Sequence, residues 1–168
     1  MRPICSFILR IVGWKIHGDV PKKYKKYLII AAPHTSSWDF LIGLMSRGYL
    51  GFNANFLGKK SLFQKPFGWF FTMMGGYPVD RSQNTNLVDQ VVKIFNDKEE
   101  FVLALAPEGT RNSVNEWKTG FYYIAQSAKV PLVRVRIDHQ KKEVRFYAPL
   151  FVTGNLEKDM PKIKEVYT

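Results

Sequence analysis

The sequence predicts an α/β fold: a single-domain sandwich with a largely parallel mixed sheet flanked by helices, preceded by a short amphipathic N-terminal helix. Three observations carry that reading. Two short apolar runs, Tyr27–Ala32 and Phe101–Ala106, each stop at a proline, Pro33 and Pro107. Uninterrupted runs of that length suit strands buried on both faces, as in a parallel sheet. Between such runs, apolar residues recur at helical spacing, as in Leu87, Val88, Val91, Val92 and Phe95. Finally, the 168 residues hold no internal repeat, low-complexity tract or linker, and the length suits one core.

The elements follow in order. Ile4, Phe7, Ile8, Ile11 and Val12 recur at helical spacing beside Arg2, Arg10 and Lys15, with Trp14 and four lysines, Lys22, Lys23, Lys25 and Lys26, behind them. Residues 1–20 are therefore expected to form an amphipathic membrane-surface helix, although a helix capping the core would show the same spacing. Arg10 breaks the apolar stretch, so a cleavable signal is not expected. No apolar run reaches the roughly 18–20 residues needed to span a bilayer. Residues 21–168 are expected to form the domain proper. After the strand at Tyr27–Ala32, a helix is expected from Phe40 to about Gly48, opened by Ser36 with Asp39 three residues on. A short strand near Asn55–Gly58 leads to an aromatic stretch, Phe63–Phe71, and Tyr77–Val79 reads as extended. A helix over Leu87–Phe95, a strand over Phe101–Ala106, a helix over Gly120–Ala128 and strands at Pro131–Ile137 and Val144–Ala148 complete the alternation.

Charge is unevenly placed. Residues 1–79 carry eleven Lys/Arg against Asp19 and Asp39, whereas residues 80–168 carry fourteen against twelve acids. A one-sided positive field suits an anionic membrane surface, an anionic substrate or nucleic acid, and it equally describes a solvated basic face. The single cysteine, Cys5, excludes an internal disulfide and a cysteine-cluster metal site. The three histidines are scattered without ligand spacing, so no metal is expected.

Four segments carry candidate chemistry. In Pro33-His34-Thr35-Ser36-Ser37-Trp38-Asp39, two residues five apart in one helix would point about 140° apart. His34 and Asp39 can meet only if His34 lies in the loop after the strand and Asp39 in the first helical turn. Asp39 then accepts from one imidazole nitrogen and leaves the other as a base. A structural histidine fits that segment equally well. In Pro107-Glu108-Gly109-Thr110-Arg111 a glycine permits a sharp turn and Arg111 suits a phosphate, or is an ordinary surface arginine. Gly75-Gly76 leads to Asp80-Arg81, where Arg81 either joins a phosphate site or pairs with Asp80. Val130-Pro131 enters an apolar strand, and Lys59 and Lys60 add charge between the His34–Asp39 segment and the Gly75-Gly76 segment.

In order and spacing these segments resemble the four motif blocks of the glycerolipid acyltransferase family, which includes the 1-acylglycerol-3-phosphate acyltransferases. His34 and Asp39 match its first block, Gly75, Gly76 and Arg81 its second, Pro107–Arg111 its third and Val130-Pro131 its fourth. Lys59 and Lys118-Thr119-Gly120 also resemble the family, and the likeness runs over roughly residues 25–150. Arg134 departs from it, standing where a second proline is common.

The resemblance implies an O-acyltransferase moving a fatty acyl group from acyl-CoA or acyl-carrier protein to a lysophosphatidate-type hydroxyl, with no cofactor beyond that co-substrate. His34 would deprotonate the hydroxyl and Asp39 would orient His34. Lys59, Arg81 and Arg111 would hold the acceptor phosphate, and Glu108, Gly109 and Thr110 would shape its site. The expected partners are an anionic membrane surface, the acyl thioester and the lysophospholipid, at the cytoplasmic face as a peripheral protein. Other lipid acceptors and a thioesterase use the same pair. A non-catalytic basic module binding membrane or nucleic acid leaves the ordered segments without a purpose, so no nucleic-acid partner is expected.

Overall fold

The computed structural model describes residues 2–34, 36, 38–79, 84–109 and 116–167, and for 84–86 the backbone alone. Among these residues seven strands form one sheet: β1 (Lys15–His17), β2 (Lys26–Ala32), β3 (Asn55–Lys59), β4 (Gly76–Val79), β5 (Phe101–Leu105), β6 (Leu132–Asp138) and β7 (Glu143–Phe146). Their spatial order is β1-β7-β6-β2-β5-β3-β4. Every neighbouring pair is parallel except β6 and β7, which form an antiparallel hairpin through residues 139–142. Among the described residues six α-helices accompany them: α1 (Arg2–Ile11), α2 (Trp38–Leu50), α3 (Gly68–Met73), α4 (Asn84–Asp97), α5 (Gly120–Ser127) and α6 (Leu156–Lys164). The α/β sandwich with a mostly parallel mixed sheet is thus the observed architecture.

The two central apolar runs are continuous because both faces of the sheet are covered. Successive side chains of a strand point to opposite faces. Leu28 and Ile30 of β2 join Val91 and Phe95 of α4, Phe121 and Ile124 of α5 and Ile163 of α6 in one core layer. Tyr27 and Ile29 join Val133, Val135, Val144 and Ile42 of α2 in the other. Leu28, Ile30, Leu103 and Leu132 are fully buried, and each contributes about 1.5–3 kcal/mol by leaving water.

The first helix differs from its expected extent. It closes at Ile11 because Gly13 adopts a left-handed φ of +77°. The Trp14 N–H then reaches the Leu9 carbonyl at 2.8 Å and the Gly13 N–H reaches Arg10 at 3.2 Å, a glycine C-cap. The freed chain turns extended, and Lys15–His17 pairs with β7 at the sheet edge. Within α1, Cys5 and Leu9 are buried, with Cys5 Sγ close against Gly48 of α2. Ile4, Phe7, Ile8, Ile11 and Val12 all remain exposed. The apolar stripe read from the sequence therefore does not cap the core. The aromatic stretch is divided too: Phe63 closes over Gly58 and Gly76, while Phe67, Trp69, Phe70 and Met73 are exposed. Among the described residues, no helix is long and apolar enough to cross a membrane.

Candidate active site

The site forms where β2 and β5 end side by side. Pro33 stops β2, and the chain leaves the sheet with His34 in the connecting loop. The turn into α2 is held reciprocally. The Ser36 N–H donates to Asp39 Oδ2 at 2.9 Å, and Ser36 Oγ accepts from the Trp38 N–H at 3.1 Å. Such a box satisfies the first amide donors of a helix and fixes the carboxylate at its start. Asp39 is consequently placed in the first turn of α2 with its side chain 1% exposed.

His34 Nδ1 lies 3.0 Å from Asp39 Oδ2, with the imidazole 26% exposed. An ionised carboxylate only accepts, so the proton of that contact sits on Nδ1 and the lone pair on Nε2. No described residue partners His34 Nε2. The pair therefore combines a buried, oriented acceptor with a partly exposed imidazole. Loop and first turn are what allow residues five apart to meet.

The end of β5 supports the same loop. Glu108 is buried, and its Oε1 accepts from the His34 backbone N–H at 3.2 Å. Glu108 Oε2 is also buried and has no hydrogen-bond partner among the described residues. Gly109 closes the turn by donating to Ala106 at 3.1 Å with φ +65°. A side chain there would be strained and would meet Lys118 Cδ at 2.8 Å, so glycine is required. The Lys118 N–H in turn donates to Pro107 at 2.9 Å.

The remaining expected residues are dispersed or lie elsewhere. Lys59 is exposed at the end of β3, with β5 between its strand and β2. Arg81, Thr110 and Arg111 lie outside the described residues. Arg134, the departure in the fourth segment, donates to the Lys162 carbonyl at 2.9 Å and stacks over Tyr147 at 5.9 Å. Its Nε is buried without a partner among the described residues.

Two residues near the site were not anticipated. His139 Nε2 is 2.6 Å from Asp39 Oδ1, the carboxylate oxygen that His34 does not use. Tyr167 donates its hydroxyl to the Ile30 carbonyl at 2.8 Å and accepts from the Val135 N–H at 3.2 Å, bridging β2 and β6. Burial holds the Tyr167 hydroxyl well above its ordinary value, so it stays protonated. Sheet register explains His139. Ala32 pairs with Arg136, so His34 and His139 lie two and three residues beyond the same rung.

Comparison with known proteins agrees with this architecture. The family model described as Acyltransferase matches residues 14–138. A 1-acyl-sn-glycerol-3-phosphate acyltransferase of Saccharomyces cerevisiae is 32% identical over 134 residues, covering 74% of this chain and 43% of that protein. One from Streptococcus pneumoniae is 29% identical over 137 residues, covering 73% of this chain and 48% of that protein. The chain thus spans about half the length of these curated relatives. The crystal structure of the 1-acyl-sn-glycerophosphate acyltransferase PlsC from Thermotoga maritima superposes with a TM-score of 0.69 at 17% identity, over 98% of this chain and 74% of that one. At that identity the likeness speaks for the fold.

Proposed function

The chain belongs to the acyltransferase family, and on that premise we propose that it transfers a fatty acyl group from an acyl thioester to the hydroxyl of a lysophosphatidate. The observation that carries the proposal is the His34–Asp39 contact, 3.0 Å long, with the imidazole partly exposed. His34 Nε2 removes the acceptor's hydroxyl proton as the oxygen attacks the thioester carbonyl carbon. The carbon–sulfur bond then breaks, and the departing thiolate takes the proton from the imidazolium. Asp39 orients the ring and stabilises its charged form, as the aspartate of a serine-hydrolase triad does. A base so placed contributes roughly 10²–10⁴-fold to rate. No covalent acyl-enzyme is needed, and Cys5 is buried against Gly48 of α2.

Arg81, Arg111 and Lys59 supply the charge for the acceptor's phosphate, with Glu108 and Gly109 shaping its floor. The donor is acyl-CoA or acyl-carrier protein. The protein works as a peripheral protein on the cytoplasmic face of an anionic bilayer. Support for that placement comes from the exposed stripe of α1 and the exposed Phe67, Trp69 and Met73. Apolar contact plus nearby cations is what holds an interfacial helix to lipid. The lysine run contributes less than its count suggests. Lys22 pairs with Asp19 at 3.0 Å and Lys25 with Glu100 at 3.1 Å, while Lys26 donates to the Phe95 carbonyl.

A labelled acyl thioester presented with a panel of lysolipid acceptors in anionic vesicles tests the proposal. Label should appear in the acylated phospholipid with equal release of thiol. Release as free fatty acid regardless of acceptor would identify a thioesterase instead.

A further inference from the structure

We propose that His139 is a positioning residue for the catalytic pair, holding Asp39 through the oxygen that His34 leaves unused. The inference rests on the reading of His34 as the base.

The carboxylate of Asp39 is 1% exposed and is met by three donors. Oδ2 receives the His34 Nδ1–H at 3.0 Å and the Ser36 N–H at 2.9 Å. Oδ1 receives His139 Nε2 at 2.6 Å. Because the carboxylate can only accept, His139 must carry its proton on Nε2 in this contact. Without His139, Oδ1 would be a buried oxygen with no partner among the described residues. A carboxylate in that state rotates or admits water to recover a donor, and either movement loosens the Oδ2 contact that aims His34. Donors at both oxygens fix the plane of the group, whereas the Oδ2 contacts alone leave it free to swing about its own axis.

His139 is itself held in place. It follows β6 directly, in the turn to β7. The Trp14 indole meets its ring edge-on at 5.4 Å. The turn is tied to the N-terminal segment by the Lys15 N–H donating to Lys142 at 2.8 Å and by Lys142 Nζ donating to Val12 at 3.2 Å. The histidine is thus delivered by the sheet and clamped by the segment after α1, not left to find Asp39 from a mobile side chain. It touches Asp39 rather than the reacting atoms, so its effect passes through the carboxylate.

The test is steady-state kinetics of the full chain with the thioester and lysophospholipid above, for His139→Ala, His139→Gln and His139→Met. Glutamine keeps an N–H donor at about the distance of Nε2; methionine fills comparable space and donates nothing. His139→Ala and His139→Met should lower kcat roughly 10–100-fold, the range of one hydrogen bond to a charged group. KM for both substrates should stay near wild type, and His139→Gln should recover most of the lost kcat. A merely structural histidine would lower the melting temperature and the active fraction while sparing kcat per folded molecule. Should His139→Ala fail to fold, the Gln and Met variants alone decide. Wild-type kcat in His139→Met, or equal losses in the Gln and Met variants, would overturn the proposal. So would loss of all turnover in His139→Gln with turnover retained in His34→Ala, which would reassign the base to His139. A fully active His34→Ala with unchanged His139 variants would instead sink the reading of His34 and take this inference with it.

Discussion

Asp39 and Asp159 are both nearly fully buried carboxylates, and each is met by three donor groups, yet their donors differ in kind. Asp159 accepts from the Tyr122 hydroxyl at 2.8 Å, the Thr153 N–H at 2.6 Å and Thr153 Oγ1 at 3.0 Å. It ties α6 to α5 and to Thr153 in the loop before it. Asp39 accepts from one backbone N–H and two imidazole rings. Burial alone would push the Asp159 carboxyl up, but its hydrogen bonds from Thr153 and Tyr122 hold it below the ordinary carboxylate range. Burial and the bond to Asp159 raise the Tyr122 hydroxyl, so it remains a donor. The same device, a buried carboxylate given enough donors, ties helices together in one region and holds two imidazoles in the other. The nature of the donors decides which.

Substitution should separate the two. Asp39→Asn keeps the shape but offers His34 the wrong partner for its charged form. It should cut kcat by about 10²–10⁴-fold with little change in melting temperature, measured with the acyl-transfer assay beside calorimetry. The mirror substitution, Asp159→Asn, should leave kcat of the folded enzyme unchanged and cost about 1–3 kcal/mol of stability in urea unfolding. If Asp159→Asn instead lowered kcat without destabilising, the division between the two carboxylates would fail.

Acid adds a second contrast. The folded carboxyl of Asp159 is held below its unfolded value. Its stabilisation is therefore present above the ordinary carboxylate range and lost as the pH falls through the lowered value. Wild type should lose stability on that acidic limb, and Asp159→Asn should show a flatter limb in pH-resolved thermal melts. An identical slope in the two proteins would show that the carboxylate makes no linked contribution. The smallest effect is expected of Tyr122→Phe, which removes one of the donors. About 0.5–2 kcal/mol should be lost, again with kcat intact.

How much of this was legible in the sequence follows from which contacts are local. Strands β2 and β5 announced themselves as apolar runs closed by proline, and the box joining Ser36 to Asp39 is a three-residue pattern. The loop-and-first-turn geometry of His34 and Asp39 followed from helical angles. Strand β1 did not show, because Lys15–His17 is three residues long and exists only through its pairing with β7. Helix α3 is six residues, three of them aromatic, with no polar alternation to betray a period. Helix α6 carries Pro161 inside it, a residue that reads as a breaker. The Asn155 side chain, accepting from the Lys158 N–H at 3.1 Å, and the acidic Glu157 and Asp159 mark its start. His139 lies 100 residues from Asp39, so its contact is set by the register of β2 against β6. The N-terminal stripe was visible by its spacing, but spacing cannot tell an inward face from an outward one. Cys5 and Leu9 take the inward positions.

The most direct test of the central claim follows the acyl label in the wild-type chain and in His34→Ala, side by side, with lysophosphatidate in anionic vesicles. Wild type should convert thioester to acylated phospholipid and free thiol in equal amounts, and a folded His34→Ala should do neither at more than a trace. Transfer by His34→Ala at a rate close to wild type would contradict the account.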